Sequence, residues 1–206
     1  MKIIDISWPI TEDMTNYKDK QVVQFKQNKT FEKDSVRDSI ITLGSHTGTH
    51  VDAPSHFLQG GKTADRVSLE YFIGVCKVFD LTQVTESISV RDLEKFFIES
   101  GDILLFKTKN SSLVPTQKFN YDFIFINKDA AQYLSEKKIN TVGIDYLGIE
   151  RGQPDHETHK TFLENNIAII EGLRLNHVDP GEYMLCCLPL LTIGLEAAPA
   201  RAVLLR

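Results

Sequence analysis

A chain of 206 residues with 42% hydrophobic and 25% charged side chains suits one α/β domain with a sizeable core. Its net charge of -5 gives no reason to expect nucleic acid or an anionic membrane as partner. No apolar run approaches membrane-spanning length, and Asp5 interrupts the short apolar run at the start, so no signal-peptide pattern is read and a cytoplasmic protein is expected.

In chain order, residues 2–7, 21–26 and 36–44 read as strands. Ser68 to Ile73 reads as a short helix leading into a strand over Val75–Leu81. Ser89 with Asp92 has the capping-box pattern and predicts a helix to about Glu99, ended by Gly101. A strand over Ile103–Lys107 follows. Phe123–Ile126, a helix from about Lys128 to Glu136 and Thr141–Ile144 repeat the strand–helix–strand rhythm. A helix near Glu157–Glu164 leads into the strand Ile167–Ile170, and Tyr183–Leu188 and Ala202–Leu205 close the chain as strands. The pattern is α/β with several antiparallel strands near the N-terminus, and no linker, repeat or low-complexity tract divides residues 1–206. Cys76, Cys186 and Cys187 lie in apolar, strand-like segments without an adjacent base, so they read as reduced, buried thiols and not as nucleophiles.

The chemistry concentrates in Ser45–Phe57, where Ser-His-Thr-Gly-Thr-His-Val-Asp-Ala-Pro-Ser-His-Phe holds three of the six histidines and a carboxylate. Imidazole nitrogens with a carboxylate oxygen are the donor set of zinc and similar divalent ions, and such sites tend to be catalytic where thiolate sites tend to be structural. His46, Gly48, His50 and Asp52 share the parity of one strand face, while Thr47, Thr49 and Val51 are β-favouring. A helix would also align His46 with His50, but Gly48, the β-branched neighbours and Pro54 oppose it. On a straight strand these two would stand ~13 Å apart. A bend near Gly48 is therefore expected, with Pro54 turning His56 back over the site.

Further along, His156 and His159 are about one helical turn apart, and either could face the site. Glu171 ends the buried-looking run Ile167-Ala-Ile-Ile before Gly172; taken alone it reads as a strand-end acid facing water. His177, beside Asn176 and before Asp179-Pro180-Gly181, reads as a turn residue.

The stretch His46-Thr-Gly-Thr-His50-Val-Asp52-Ala-Pro-Ser-His56-Phe resembles the signature of the metal-dependent cyclase-like hydrolase family, which includes bacterial kynurenine formamidase and isatin hydrolase. Asp5-Ile-Ser, Gly74–Asp80, Gly101–Thr108, Thr141–Ile149, Leu188-Pro-Leu and Ala198–Val203 match it as well, as does the twelve-residue offset of His159 from Glu171. The resemblance implies a single swivelling β/α/β-type domain with a mixed sheet, assembled as a homodimer or homotetramer. It implies one or two divalent ions, zinc or manganese. His46 and His50 would bind the first ion, Asp52 would bridge, His159 would bind the second, and Glu171 would bridge or cap the pair. His56 would stand free as the proton-transferring residue. A divalent ion in such a site activates a water and polarises a carbonyl, which fits hydrolysis of a small-molecule amide such as N-formylkynurenine.

Where formamidases carry an aromatic–Pro–Gly–Asp stretch, this chain has Tyr17-Lys18-Asp19, and Leu195-Glu-Ala-Ala-Pro replaces an Asp-Gly-Ser/Ala-Pro form. Tyr17 can still stack on an aryl substrate. Both departures bear on which amide is cleaved, with cyclic amides the alternative. A metal-binding member without catalysis would be expected to have lost at least one of His46, His50, Asp52, His56, His159 and Glu171, and all six are present.

Overall fold

In the computed structural model, which describes residues 1–206, apolar runs such as Ile103–Phe106 and Ala168–Ile170 become buried strands of one sheet. The elements are β1 (Ile3–Asp5), β2 (Gln24–Lys29), α1 (Phe31–Asp34), β3 (Asp38–Thr42), β4 (His50–Asp52), β5 (Ile73–Asp80), β6 (Ser87–Ile88), α2 (Val90–Leu93), β7 (Ile103–Lys107), β8 (Phe125–Ile126), α3 (Lys128–Glu136), β9 (Thr141–Ile144), α4 (Glu157–Glu164), β10 (Ala168–Glu171), β11 (Gly181–Pro189) and β12 (Ala197–Leu205). β5, β7, β9 and β10 pair in parallel, and β11, β12 and β4 join them antiparallel. β12 has β11 on one edge; its other edge takes β1 at residues 203–205 and β4 at residues 197–199. Because β4 also pairs with β10, the sheet closes through seven strands into a mixed barrel, with β1 as an extra strand.

Strand alternation sorts side chains into two cores. Ile103 and Leu105 of β7 face the barrel interior with Cys76, Val78, Ile170, Leu185 and Leu204. Leu104 and Phe106 face outward onto a second core with Val142, Ile144, Ile169 and the buried sides of α3 and α4. Parallel strands covered on both faces read as unbroken apolar runs, which is why Ile-Leu-Leu-Phe is strand and not helix. The barrel interior is tight at β9: a Cβ at Gly143 would stand 2.6 Å from Leu105 and 2.7 Å from Leu173. Cys76 and Cys187 lie inside, and burial pushes both thiols up to about 12, so they are inert. Cys186 is half-buried on the outer face, which departs from the expectation that all three thiols are buried.

Other expectations need correction. The Ser89–Asp92 capping box forms, but its helix stops at Leu93, because Phe96 and Ile98 are drawn down as separate turns over the core. The predicted strand over Phe123–Ile126 keeps only Phe125–Ile126, in a two-stranded piece with β6. The expected strand over 21–26 lies at 24–29 and pairs only with β3, as a hairpin whose eleven strand residues are all exposed. Ser45–Thr49 is turn rather than strand. The closing strand starts at Ala197, five residues before the expected Ala202, and this added length is what meets β4.

Candidate metal centre

The expected bend is present at Gly48, whose φ of +62° lies in the left-handed region. It turns the chain so that the Gly48 carbonyl accepts a hydrogen bond from His50 Nδ1 at 3.0 Å. A carbonyl only accepts, so Nδ1 keeps a proton, and Nε2 is the nitrogen that faces the site. Thr49 points the other way. Its hydroxyl accepts from the Trp8 N–H at 2.7 Å and donates to the Gly172 carbonyl at 2.6 Å, tying the bend to the end of β10. Gly172, with φ +72°, is pressed against Gly48: a Cβ there would lie 2.2 Å from the Gly48 oxygen.

Register then assembles the floor of the site. β4 places His50 opposite Glu171 of β10 and Asp52 opposite Ile169. His50 Nε2 lies 3.4 Å from Asp52 Oδ1 and 3.4 Å from Glu171 Oε2. His159, on the first turns of α4, brings its Nε2 to 3.5 Å from Asp52 Oδ2 and 3.4 Å from Glu171 Oε1. His46 Nδ1 stands 3.0 Å from Asp52 Oδ1. The short turn after Pro54 carries the His56 ring to 4.3 Å from that of His46 and 6.0 Å from that of His159. All six residues singled out by sequence therefore converge.

The donor atoms fall into three groups, each within 4.8 Å: His46–Asp52–His56 and His50–Asp52–Glu171, which share Asp52, and Glu150–His156–His159. Asp52 is common to the first two, but His46 groups with His56 and not with His50, and His159 groups with Glu150 and not with Asp52. His156 does not reach the floor. It is half-exposed, its backbone is left-handed (φ 55°), and its Nδ1 contacts Glu150 Oε1 at 2.5 Å.

Charge and burial test the fit of a cation. Buried His46 Nε2, His50 Nε2 and both Asp52 carboxylate oxygens have no hydrogen-bond partner. Two orphaned imidazole nitrogens beside an orphaned carboxylate are what a divalent ion would satisfy. Without one, protons take its place. Burial disfavours a charged His50, but Asp52 and Glu171 outweigh it and raise the imidazole to about 10. Burial and the neighbouring Asp52 push Glu171 up, but His159 and His50 hold it down at about 2. His159 is likewise raised against its burial by Asp52, Glu150 and Glu171.

A cavity of about 700 Å³ opens above this floor. Its walls include Tyr17, Phe57, Phe119, Tyr121 and Phe123, with Lys18 and Arg151 among the lining residues. Tyr17 packs edge-on to Phe119 at 5.1 Å, and its turn is fixed by Asp19 accepting from the Phe119 N–H at 2.8 Å. Sequence reading missed Glu150, which holds His156 and His159, and Glu196, whose Oε1 accepts from Ser45 at 2.6 Å and lies 3.5 Å from His46 Nε2. Each is an acid set in an apolar run, Tyr-Leu-Gly-Ile-Glu and Leu-Glu-Ala-Ala, and that was the available signal.

The family model "Putative cyclase" matches residues 4–151, which carry the histidine motif. The chain belongs to the cyclase family. Among curated members, the kynurenine formamidase of Bacillus thuringiensis subsp. konkukian (strain 97-27) is 32% identical over 203 residues, covering 98% of this chain and 96% of that protein. The kynurenine formamidase of Bacillus anthracis is 32% identical over 205 residues, covering 98% and 97%. Of solved structures, the "predicted metal-dependent hydrolase from Bacillus stearothermophilus" superposes with a TM-score of 0.89 at 44% identity, covering 98% of this chain and 97% of its own. Isatin hydrolase A from Ralstonia solanacearum shares the cyclase-family fold, with a TM-score of 0.82 at 17% identity over 100% and 92% of the two chains.

Proposed function

We propose that this chain hydrolyses an amide C–N bond with a divalent metal, and that its substrate is an aryl formamide such as N-formylkynurenine. The observation that carries this is the convergence of orphaned imidazole and carboxylate donors at the floor of an aromatic-walled cavity. The formamidase names of relatives over nearly the full chain support it.

In this reading His46, His50, Asp52, His159 and Glu171 would hold the metal, since Asp52 lies within 3.5 Å of all three imidazoles and Glu171 within 3.4 Å of two. Zinc is the first choice and manganese also suits this donor set, in one ion or two. The ion, when bound, supplies Lewis-acid activation of the carbonyl and of a water. His56 overhangs the floor. Burial lowers its imidazole from the ordinary value, so it is neutral at pH 7 and free to take a proton and hand it to the leaving amine. Tyr17 and the Phe119–Phe123 wall hold the aryl ring and exclude water from the scissile bond. Residues 1–206 act as one domain in this reading, with the cytoplasm as its proposed location. No helix is long and apolar enough to cross a membrane.

Two bare surfaces support assembly as a homodimer or homotetramer: the hairpin β2–β3 with Phe25, Ile40 and Ile41, and the sheet face with Ile73, Val75, Met184 and Leu188. An isolated two-stranded hairpin is marginally stable in water and needs cover.

The test is a panel of aryl formamides and cyclic amides, assayed with metal-stripped protein and after zinc or manganese is restored. Metal-dependent turnover of formamides is expected, with Tyr17→Ala raising KM more than it lowers kcat because stacking holds ground and transition states alike. Turnover of cyclic amides alone would move the substrate assignment. Metal uptake with no turnover of any amide would make the chain a binding protein.

A further inference from the structure

Glu150 is a buried carboxylate with no part in the reading above. It lies on the loop between β9 and α4 and meets the start of α4, where its two oxygens face three donors. Oε2 accepts the backbone N–H of His159 at 3.1 Å. Oε1 lies 3.0 Å from His159 Nδ1 and 2.5 Å from His156 Nδ1. The two nitrogens of the His159 ring therefore face opposite carboxylates: Nδ1 meets Glu150, and Nε2 meets Asp52 and Glu171 at the floor.

That division has a chemical consequence. An imidazole gives its lone pair to a cation from one nitrogen only when the proton sits on the other, and that proton needs an acceptor. His159 Nδ1 is a buried atom without a well-aligned partner, and Glu150 is the carboxylate placed beside it. The ring is also braced on its face, since Phe57 packs at 4.5 Å from His159 and 4.6 Å from His156. His156 completes the arrangement from the cavity side. Its left-handed backbone, φ 55° and ψ 45°, is a conformation that non-glycine residues seldom adopt, and it directs the side chain onto Glu150 at the start of α4.

We propose that Glu150 is a positioning residue that holds the proton of His159 on Nδ1 and fixes its ring plane, that His156 clamps Glu150 in place, and that neither residue is a metal ligand. The proposal rests on the metal-site reading above. The carboxylate, His156 and His159 lie close enough to be taken for a third cation group. The Glu150 oxygens, however, already serve the His159 main chain and the His156 ring.

The experiment uses the full chain with uniformly ¹⁵N-labelled histidine. Long-range ¹⁵N–¹H spectra report which nitrogen of each ring carries the proton, and calorimetric titration with zinc reports stoichiometry and affinity separately from catalysis. In the wild type with zinc, His159 is expected to be protonated on Nδ1. Glu150→Gln keeps the shape but turns one oxygen into a donor facing N–H groups. It should leave the saturating stoichiometry unchanged, weaken the ion at His159 by ~10–100-fold, and shift the His159 tautomer signal. His156→Ala should weaken that ion less and keep the tautomer.

A wild-type spectrum with the His159 proton on Nε2 would overturn the proposal without any variant. Loss of one ion at saturation in Glu150→Gln would make Glu150 a ligand, and wild-type affinity with an unshifted tautomer would leave it no role. Absence of zinc uptake by the wild type would instead bring down the metal-site reading itself.

Discussion

At the scale of the residue, the proposed reading gives Asp52 and His56 different work. Asp52 belongs to two of the three donor groups, with its two oxygens divided between His46, His50 and His159. His56 touches the edge of the site through a ring that no carboxylate grips. His56→Asn is therefore expected to keep nearly full metal content while kcat falls by ~10²–10⁴-fold. Elemental analysis and rate measured on the same sample check this, and parallel loss of metal and rate would make His56 a ligand, as its grouping with His46 allows. The protons standing in for the cation give a second prediction. His50 is raised from 6.5 to about 10, so its imidazolium stabilises the metal-free fold fully below pH 6.5 and ceases to do so as pH rises through 10. Glu171 is lowered from 4.5 to about 2, so its contribution is full above pH 4.5 and is lost as pH falls through 2. Metal-free protein should thus be most stable between these limits, and zinc binding at pH 7 should release protons. Calorimetry in buffers of different ionisation heat measures the release, and the same heat in every buffer would refute it. His46 to His56 were legible because eleven consecutive residues carry them. Glu150 and Glu196 were not, because an isolated acid reads as a solvated one until the fold buries it.

Among elements, the contact of the Gly48 bend with the end of β10 carries the most consequence. Gly172→Ala would place a Cβ 2.2 Å from the Gly48 carbonyl, the acceptor that orients His50, and would force alanine into φ +72°. The left-handed backbone alone costs ~1–2 kcal/mol, and the clash adds to it. A fall in stability of about 3 kcal/mol with loss of bound metal is expected, read by denaturant unfolding and elemental analysis; a variant as stable and as metal-loaded as the wild type would contradict it. The same contrast explains which elements could be read in advance. α3, α4, β7 and β9 follow from local pattern: Asn127 caps α3 through the Ala130 N–H, and β7 is one apolar run. The pattern after Ser89 extends α2 past its true end at Leu93, because Phe96 answers to Phe79, which stacks on it at 4.0 Å, and not to helical periodicity. β2 was misplaced because an exposed hairpin has no buried face to set a pattern.

For the whole molecule, the α/β class was legible, but the closure of the barrel was not. It depends on residues 197–199 and 168–171 meeting residues 50–52, and no local pattern announces a pairing across more than a hundred residues. Binding at that junction ties cation to global stability. Zinc at a thousandfold its Kd should stabilise the fold by about 4 kcal/mol, and a chelator should lower Tm by roughly 8–16 °C in a domain of this size. A Tm indifferent to chelator would place no metal there. The junction also bears on the order of events. β4 is the last stave of the barrel, bonded on one side to β10 and on the other to β12, and it carries His50 and Asp52. Pairings so remote along the chain form late in folding, because loop closure must precede them. The donors are then still scattered when the chain crosses its folding barrier, so a cation should leave the folding rate nearly untouched and act as a latch on unfolding, slowing the escape from the native state.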